Sequence, residues 1–223
     1  VYCGNSYSVT VIDGATDFVL ATIVLSGLGG NQDLCYNPQN NKVYCTNTND
    51  LTVEVIDGAA DTTVAKIAVA GPPSSLCYNS QNNKVYCANG ADVTVIDGAT
   101  DSVISSLPNR PSPRLVFYDP RNNRVYCARY NDSTLMVISG STDSVIDSVK
   151  VGNNPLALCY NPQNDKVYSA NWGSRSVSII DGATSSVIAT AGVGIGPAAL
   201  CYNVRDNKVY CGNVGINSDD TCV

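Results

Sequence analysis

Short apolar runs separated by small polar clusters make up almost the whole chain. Leu76-Cys77-Tyr78 leads into Asn79-Ser80-Gln81-Asn82-Asn83, and Lys84-Val85-Tyr86-Cys87-Ala88 leads into Asn89-Gly90-Ala91-Asp92. Val93-Thr94-Val95-Ile96 is followed by Asp97-Gly98-Ala99-Thr100-Asp101, and then by Ser102 to Leu107. Runs of this length, rich in Val, Ile, Tyr and Thr and bounded by Asn, Asp and Gly, predict β-strands. The four runs are taken as strands A to D of one antiparallel unit, with Asp-Gly expected to supply a positive φ at the C–D hairpin. No segment carries a helical stripe. Apolar and polar positions alternate weakly in LCY and VYC, as expected of sheets covered on both faces.

This unit repeats. VYC or a close copy begins at Val1, Val43, Val85, Val125, Val167 and Val209, with steps of 42, 42, 40, 42 and 42 residues. A period of roughly 40–45 residues built of short strands is the mark of propeller blades. The fold class expected is therefore all-β, a β-propeller of four-stranded antiparallel blades, with about five repeats of ~42 residues. Residues 1–223 are expected to form a single propeller domain, with repeat boundaries near 31, 73, 113, 155 and 197.

The run begins at a strand B and ends after a further strand A and strand B. Three arrangements fit that count: a closed ring of five blades with one strand B left over, an excerpt of a larger propeller, and a strand exchanged between subunits.

Asn161-Pro162-Gln163-Asn164-Asp165-Lys166-Val167-Tyr168-Ser169-Ala170-Asn171 and Val177-Ser178-Ile179-Ile180-Asp181-Gly182-Ala183-Thr184 carry a closer likeness. They resemble the YVTN β-propeller repeat of surface-layer-type proteins, and the resemblance covers all but the last ten residues or so. It implies a propeller on or outside the cell, and it names no single ligand or reaction. Cys stands systematically where that family often has Val or another small apolar residue.

Composition narrows the function. The net charge is -6, which argues against a nucleic-acid footprint. No run reaches the about 18 apolar residues of a membrane helix, so no direct membrane insertion is expected. The richness in Asn, Ser, Thr and Gly suits an exported protein, extracellular or at the cell surface. The chain has no His. That removes the commonest general base and metal ligand and every Ser-His or Cys-His nucleophile pair. The chain is expected not to be an enzyme and to carry no cofactor or metal. A lactonase-like hydrolase, known among related propellers, is the remaining catalytic alternative. The paired turn carboxylates, such as Asp13 with Asp17 or Asp97 with Asp101, are read as turn formers rather than Ca²⁺ ligands.

Of the ten Cys, strand A carries Cys35, Cys77, Cys159 and Cys201, and strand B carries Cys3, Cys45, Cys87, Cys127 and Cys211. If Pro38 to Asn41 form a four-residue loop, Leu34 lies opposite Cys45 and Cys35 opposite Tyr44. The two Cys of one hairpin then point to opposite faces. Inter-blade disulfides follow as one expectation: Cys3 with Cys35, Cys45 with Cys77, and Cys127 with Cys159. Phe117 and Ser169 interrupt that series. Buried thiols acting as small hydrophobes are the other expectation.

Binding is sought on the rim where the loops differ, since loops on a rigid scaffold usually carry it. The A–B and C–D turns are nearly uniform. The B–C loops (NTNDL, NGAD, RYNDST, NWGSRS) and D–A loops (PNRPSP, GNNP, GIGP) vary. Tyr130 and Trp172, the sole Trp, hold one repeat position, and Arg110, Arg114, Arg129 and Arg175 map near them. Aromatic faces stack on sugars and planar groups, and Arg forks onto carboxylate or phosphate. These six residues are the candidate ligand site, with packing on the neighbouring blade as the alternative. The expected role is a non-catalytic binding or assembly module, its partner a protein or glycan at the cell surface, with self-assembly possible. The alternative is a structural subunit of a surface layer or filament. Asn131-Asp132-Ser133 is a glycosylation sequon on the same rim.

Overall fold

The polar clusters at 79–83, 89–92 and 97–101 each connect a pair of antiparallel strands. The computed structural model describes residues 1–25, 33–108 and 112–215. The chain divides into two compact units, Val1–Arg110 and Pro111–Val223.

The first unit opens with a three-stranded sheet, β1 (Tyr2–Gly4), β2 (Ser8–Ile12) and β3 (Val19–Val24). Two four-stranded sheets follow: β4 (Leu34–Asn37), β5 (Lys42–Asn47), β6 (Thr52–Asp57) and β7 (Thr62–Ala68), then β8 (Ser75–Asn79), β9 (Lys84–Ala88), β10 (Asp92–Asp97) and β11 (Ser102–Pro108).

The second unit holds β12 (Pro113–Asp119), β13 (Arg124–Arg129), β14 (Thr134–Ser139) and β15 (Ser144–Lys150) in one sheet. The next contains β16 (Pro155–Asn161), β17 (Lys166–Asn171), β18 (Ser176–Asp181) and β19 (Val187–Gly192), and a two-stranded sheet of β20 (Pro197–Asn203) and β21 (Lys208–Asn213) follows.

Register follows from the turns. Asn37 Oδ1 accepts the N–H groups of Gln39 and Asn40, and Asn161 Oδ1 those of Gln163 and Asn164. The turn closes on a residue in the left-handed region: Asn41 at φ 50°, Asn83 at 52°, Asp165 at 53°. Asn and Asp tolerate that region better than other side-chain-bearing residues. Leu34 consequently pairs with Cys45 and Cys35 with Tyr44.

At the C–D turn the structure corrects the expected role of Asp-Gly. The positive φ belongs to the later Asp, such as Asp101 at 57°, and Gly98 is not among the positive-φ glycines. Gly98 is needed for space, because a Cβ there would lie 2.8 Å from the Asn83 carbonyl oxygen.

The core lies between sheets. In the first unit Val9, Val11 and Ile23 pack on Val43, Cys45 and Ile56. Cys35, Tyr44, Val53, Val55 and Ile67 pack on Leu76, Val85, Cys87 and Ile96. In the second unit Tyr126, Ala128, Leu135 and Val137 meet Val167 and Ile180. In each four-stranded sheet the fourth strand is the most exposed; β19, for example, is exposed along its whole length.

The contact faces also correct the expected disulfides. Cys3, Cys35, Cys45, Cys77, Cys127 and Cys159 form no disulfides with one another. Cys45 faces the preceding sheet and Cys35 the following one. Leu76 faces β4–β7, so the adjacent Cys77 points away from it. Tyr2 faces β4–β7, which turns Cys3 away from Cys35. Tyr126 and Ala128 face β16–β19 and Leu158 faces back, which turns Cys127 and Cys159 from one another. The pairing expected from sequence had the alternation right and the direction reversed. Strand-A Cys35 shares its cluster with strand-B Cys87 of the next sheet.

Candidate functional site

The candidate rim residues fall in the second unit, apart from Arg110, which lies outside the described residues. The site is built from three loops. The first is Tyr130–Ser133 between β13 and β14. The second is Val151–Asn154 leading into β16. The third is Trp172–Arg175, which opens as a short 3₁₀ turn, Trp172–Ser174, ahead of β18.

The middle loop ties the other two together. Asn154 Nδ2 donates to the Tyr130 carbonyl at 3.0 Å, and Ser133 Oγ donates to Asn153 Oδ1 at 2.9 Å. On the other side, the Trp172 and Gly173 N–H groups donate to the carbonyls of Asn154 and Asn153 at 2.9 and 3.0 Å. The Asn153 N–H donates to Ser174 Oγ. Asn154 adopts φ 55°, which aims its backbone and side chain at both neighbours. A surface held by this many local bonds is set before any ligand arrives, which lowers the entropy lost on binding.

On this frame Arg114 lays its guanidinium over the Tyr130 ring, with Cζ 5.3 Å from the centroid, a cation–π distance. Trp172 packs its six-membered ring over Gly196, where a Cβ would lie 3.2 Å from the indole. Gly196 sits at φ 67°, so both conformation and clearance require glycine there. Arg175 is exposed at φ 49°. Asn131 of the sequon is exposed on the same loop as Tyr130.

Arg129 belongs to a different setting. It occupies the end-of-strand-B position that Asn47 and Asn171 hold elsewhere, as its pairing with Thr134 shows beside Asn47 with Thr52 and Asn171 with Ser176. Its Nη1 lies 3.2 Å from Asp132 Oδ2 and its Nη2 3.7 Å from Met136 Sδ, with 19% of the side chain exposed. It braces its own sheet. Of the sequence-predicted residues, the structure joins Arg114 to Tyr130, sets Trp172 against Gly196 with Arg175 exposed on the same loop, and turns Arg129 inward. Asn153, Asn154, Ser133 and Ser174 are the site residues that sequence reasoning missed. The sequence signal was GNNP standing where the next repeat has GIGP.

The carboxylates of the first unit's C–D turn at Asp97–Asp101 are occupied. Asp97 Oδ1 accepts the N–H groups of Ala99 and Thr100 at 2.9 Å, and those bonds hold its carboxyl below the usual range. Asp101 accepts from Tyr44 and Lys42 of the preceding sheet. Among the described residues no group of three or more His, Cys, Asp or Glu is placed to hold a metal ion. No described helix is long and apolar enough to cross a membrane.

No family model matches the chain, and no curated protein matches it. Solved structures do. A functionally unknown protein from Desulfotomaculum acetoxidans DSM 771 superposes with a TM-score of 0.80 at 14% identity, over 93% of this chain and 69% of that one. A chain of the Mitotic Checkpoint Complex gives 0.81 at 12%, over 93% and 66%. Kuenenia stuttgartiensis Hydrazine Synthase gives 0.62 at 14%, over 95% and 90%. At such identities the likeness shows the fold alone. This is an all-β, propeller-like chain.

Proposed function

We propose that the chain is a non-catalytic binding module of a β-propeller of YVTN type, acting outside the cell or at its surface. Its repeats count as blades of about 42 residues, four of them with all four strands. The ligand surface is the rim of the second unit, formed by Arg114, Tyr130, Trp172 and Arg175. One observation carries the reading: Asn153 and Asn154 fasten the Tyr130 and Trp172 loops into one frame, on which Arg114 is stacked. Two aromatic rings and two guanidinium groups suit a glycan bearing carboxylate or sulfate, or an acidic protein segment.

The test is a screen of acidic and neutral polysaccharides by surface binding, with the wild type beside Trp172→Ala and an Arg114→Ala/Arg175→Ala double variant. Acidic glycans are expected to bind the wild type, with at least a tenfold loss in both variants. Unchanged affinity in both variants for every ligand detected would remove the site.

A further inference from the structure

Strands at the outer edge of a sheet carry unpaired backbone groups, and natural proteins guard them with charge, Pro, small residues or bulges. Among the described residues, the last strand of the three-stranded sheet (β3) and the fourth strands β7, β11, β15 and β19 all bear a bulge. Register shifts leave Leu20, Val64, Ile104, Ile146 and Ile188 without a partner residue on the third strand. Four of the five strands add further guards. The residue opposite the turn Asp or Ser is Thr62, Ser102, Ser144 or Ser186. The last paired residue is Ala68, Pro108, Lys150 or Gly192.

β3 departs at both places. Phe18 stands at the Ser/Thr position, bonded through its carbonyl to the Asp13 N–H, and Val24 at the small-or-charged position, opposite Ser8. Phe18, Val19, Leu20 and Val24 are exposed by 72, 61, 59 and 77%. Val19 to Val24 contains no charge and no Pro.

We propose that β3 is a self-association edge, pairing with β3 of a second copy about a two-fold axis. This goes beyond the rim reading and does not use it. Four observations favour a second copy. First, side-chain areas near 150–250 Å² for an aromatic, and somewhat less for the aliphatics, put the exposed apolar surface of these four residues at roughly 450 Å², at the upper end for a monomer. Second, two such patches together cover roughly 900 Å², below the standard interface range of about 1,200–2,000 Å² and of the size of a weak dimer, and ladder hydrogen bonds along Ala21–Val24 add to it. Third, antiparallel pairing sets the Asp13–Asp17 turn of one copy beside the uncharged Val24 end of the other, so the acidic turns do not meet. Fourth, no Lys or Arg lies between Ser8 and Leu25 while Asp13 and Asp17 do, which disfavours an anionic lipid surface.

The experiment is sedimentation velocity on the full chain from low to high micromolar concentration, with reductant. The wild type is expected to pass from monomer to dimer, with a Kd on the order of 10–100 µM for so small an interface. Phe18→Ser with Val24→Lys installs the residue types that β15 already carries at those positions, and should weaken association at least tenfold with unchanged circular dichroism. Phe18→Thr, which copies the residue at Thr62, serves if the pair misfolds. Val103→Ser with Ile104→Ser on β11 should leave the dimer intact. The proposal is overturned by a wild type monomeric throughout, by a dimer indifferent to Phe18, or by equal loss in the β11 control. It is also overturned if a monomeric wild type binds phosphatidylcholine/phosphatidylglycerol vesicles in a Phe18-dependent way.

Discussion

Tyr44 and Asp101 join two sheets: the phenol of β5 donates to Asp101 Oδ1 at 2.7 Å, in the turn between β10 and β11. Lys42 Nζ meets the other carboxylate oxygen at 2.6 Å. The clasp recurs with different chemistry. Tyr2 reaches Asp61 at 3.2 Å and the Gly58 carbonyl. Tyr126 shares a hydrogen bond with Ser185, while Arg124 reaches both Ser185 and the Gly182 carbonyl. Ser185 replaces Asp in one repeat and Arg124 replaces Lys as its partner, so the longer cation bonds the turn backbone as well as the Ser185 hydroxyl. The uniform strand-B Lys-Val-Tyr and the uniform C–D turn are thus two halves of one contact.

Tyr44→Phe removes a buried hydrogen bond to a charged group, worth about 1.5–3 kcal/mol. The urea midpoint and Tm of this variant should fall accordingly. Tyr210 holds the same repeat position but is 55% exposed, so Tyr210→Phe should change stability by less than about 0.5 kcal/mol. Equal losses in the two variants would refute the clasp.

The thiols divide by burial. Cys45, Cys87 and Cys127 are fully buried, and Cys3 and Cys201 are exposed. Under native conditions iodoacetamide should label Cys3 and Cys201 within minutes and leave the buried three unmodified until denaturant is added. Burial pushes the Cys35 and Cys45 thiols from 9.0 up to about 12, and raises Tyr44 as well. The unfolded chain therefore ionises first. Stability should be constant below about pH 9 and fall progressively towards pH 12. Chemical denaturation across that range, with reductant present, checks both sign and window.

Acid acts through the other turn residue. Asp13, Asp57, Asp97 and Asp181 are held below 3.8, chiefly by the N–H groups of Ala15, Ala60, Thr100 and Thr184. Their contribution is present above 3.8 and lost as pH falls through the lowered values. Asp33 works in the opposite sense, since burial raises its carboxyl. Replacing Asp57, Asp97 and Asp181 together by Asn, which keeps the turn acceptor and drops the charge, should flatten Tm between roughly pH 4 and 2. A slope matching the wild type would show that these turns do not govern the acid limb.

Much of this architecture was legible because its causes are local. Asn37, Asn161 and Asp97 bond their own backbone two and three residues on, so turn type and strand register follow from neighbouring letters. The candidate rim was legible only in part. Tyr130 and Arg114 do meet, but Arg129, whose place in the sequence looked equivalent, fills an inward position that Asn holds elsewhere. Asn153 and Asn154 escaped notice because a loop Asn carries no signal until its partners across the loop are known.

By itself the sequence determined the repeat, the strand order, the turns and the alternation that sends Cys35 and Cys45 to opposite faces. Which neighbour each face meets was decided only in three dimensions. Pleating separates odd from even positions within one strand, but the side on which the following sheet stacks depends on long-range packing. Tyr44 and Cys35 look towards Leu76 and Cys87, and Cys45 looks back towards Val9, because the sheets stack in that order.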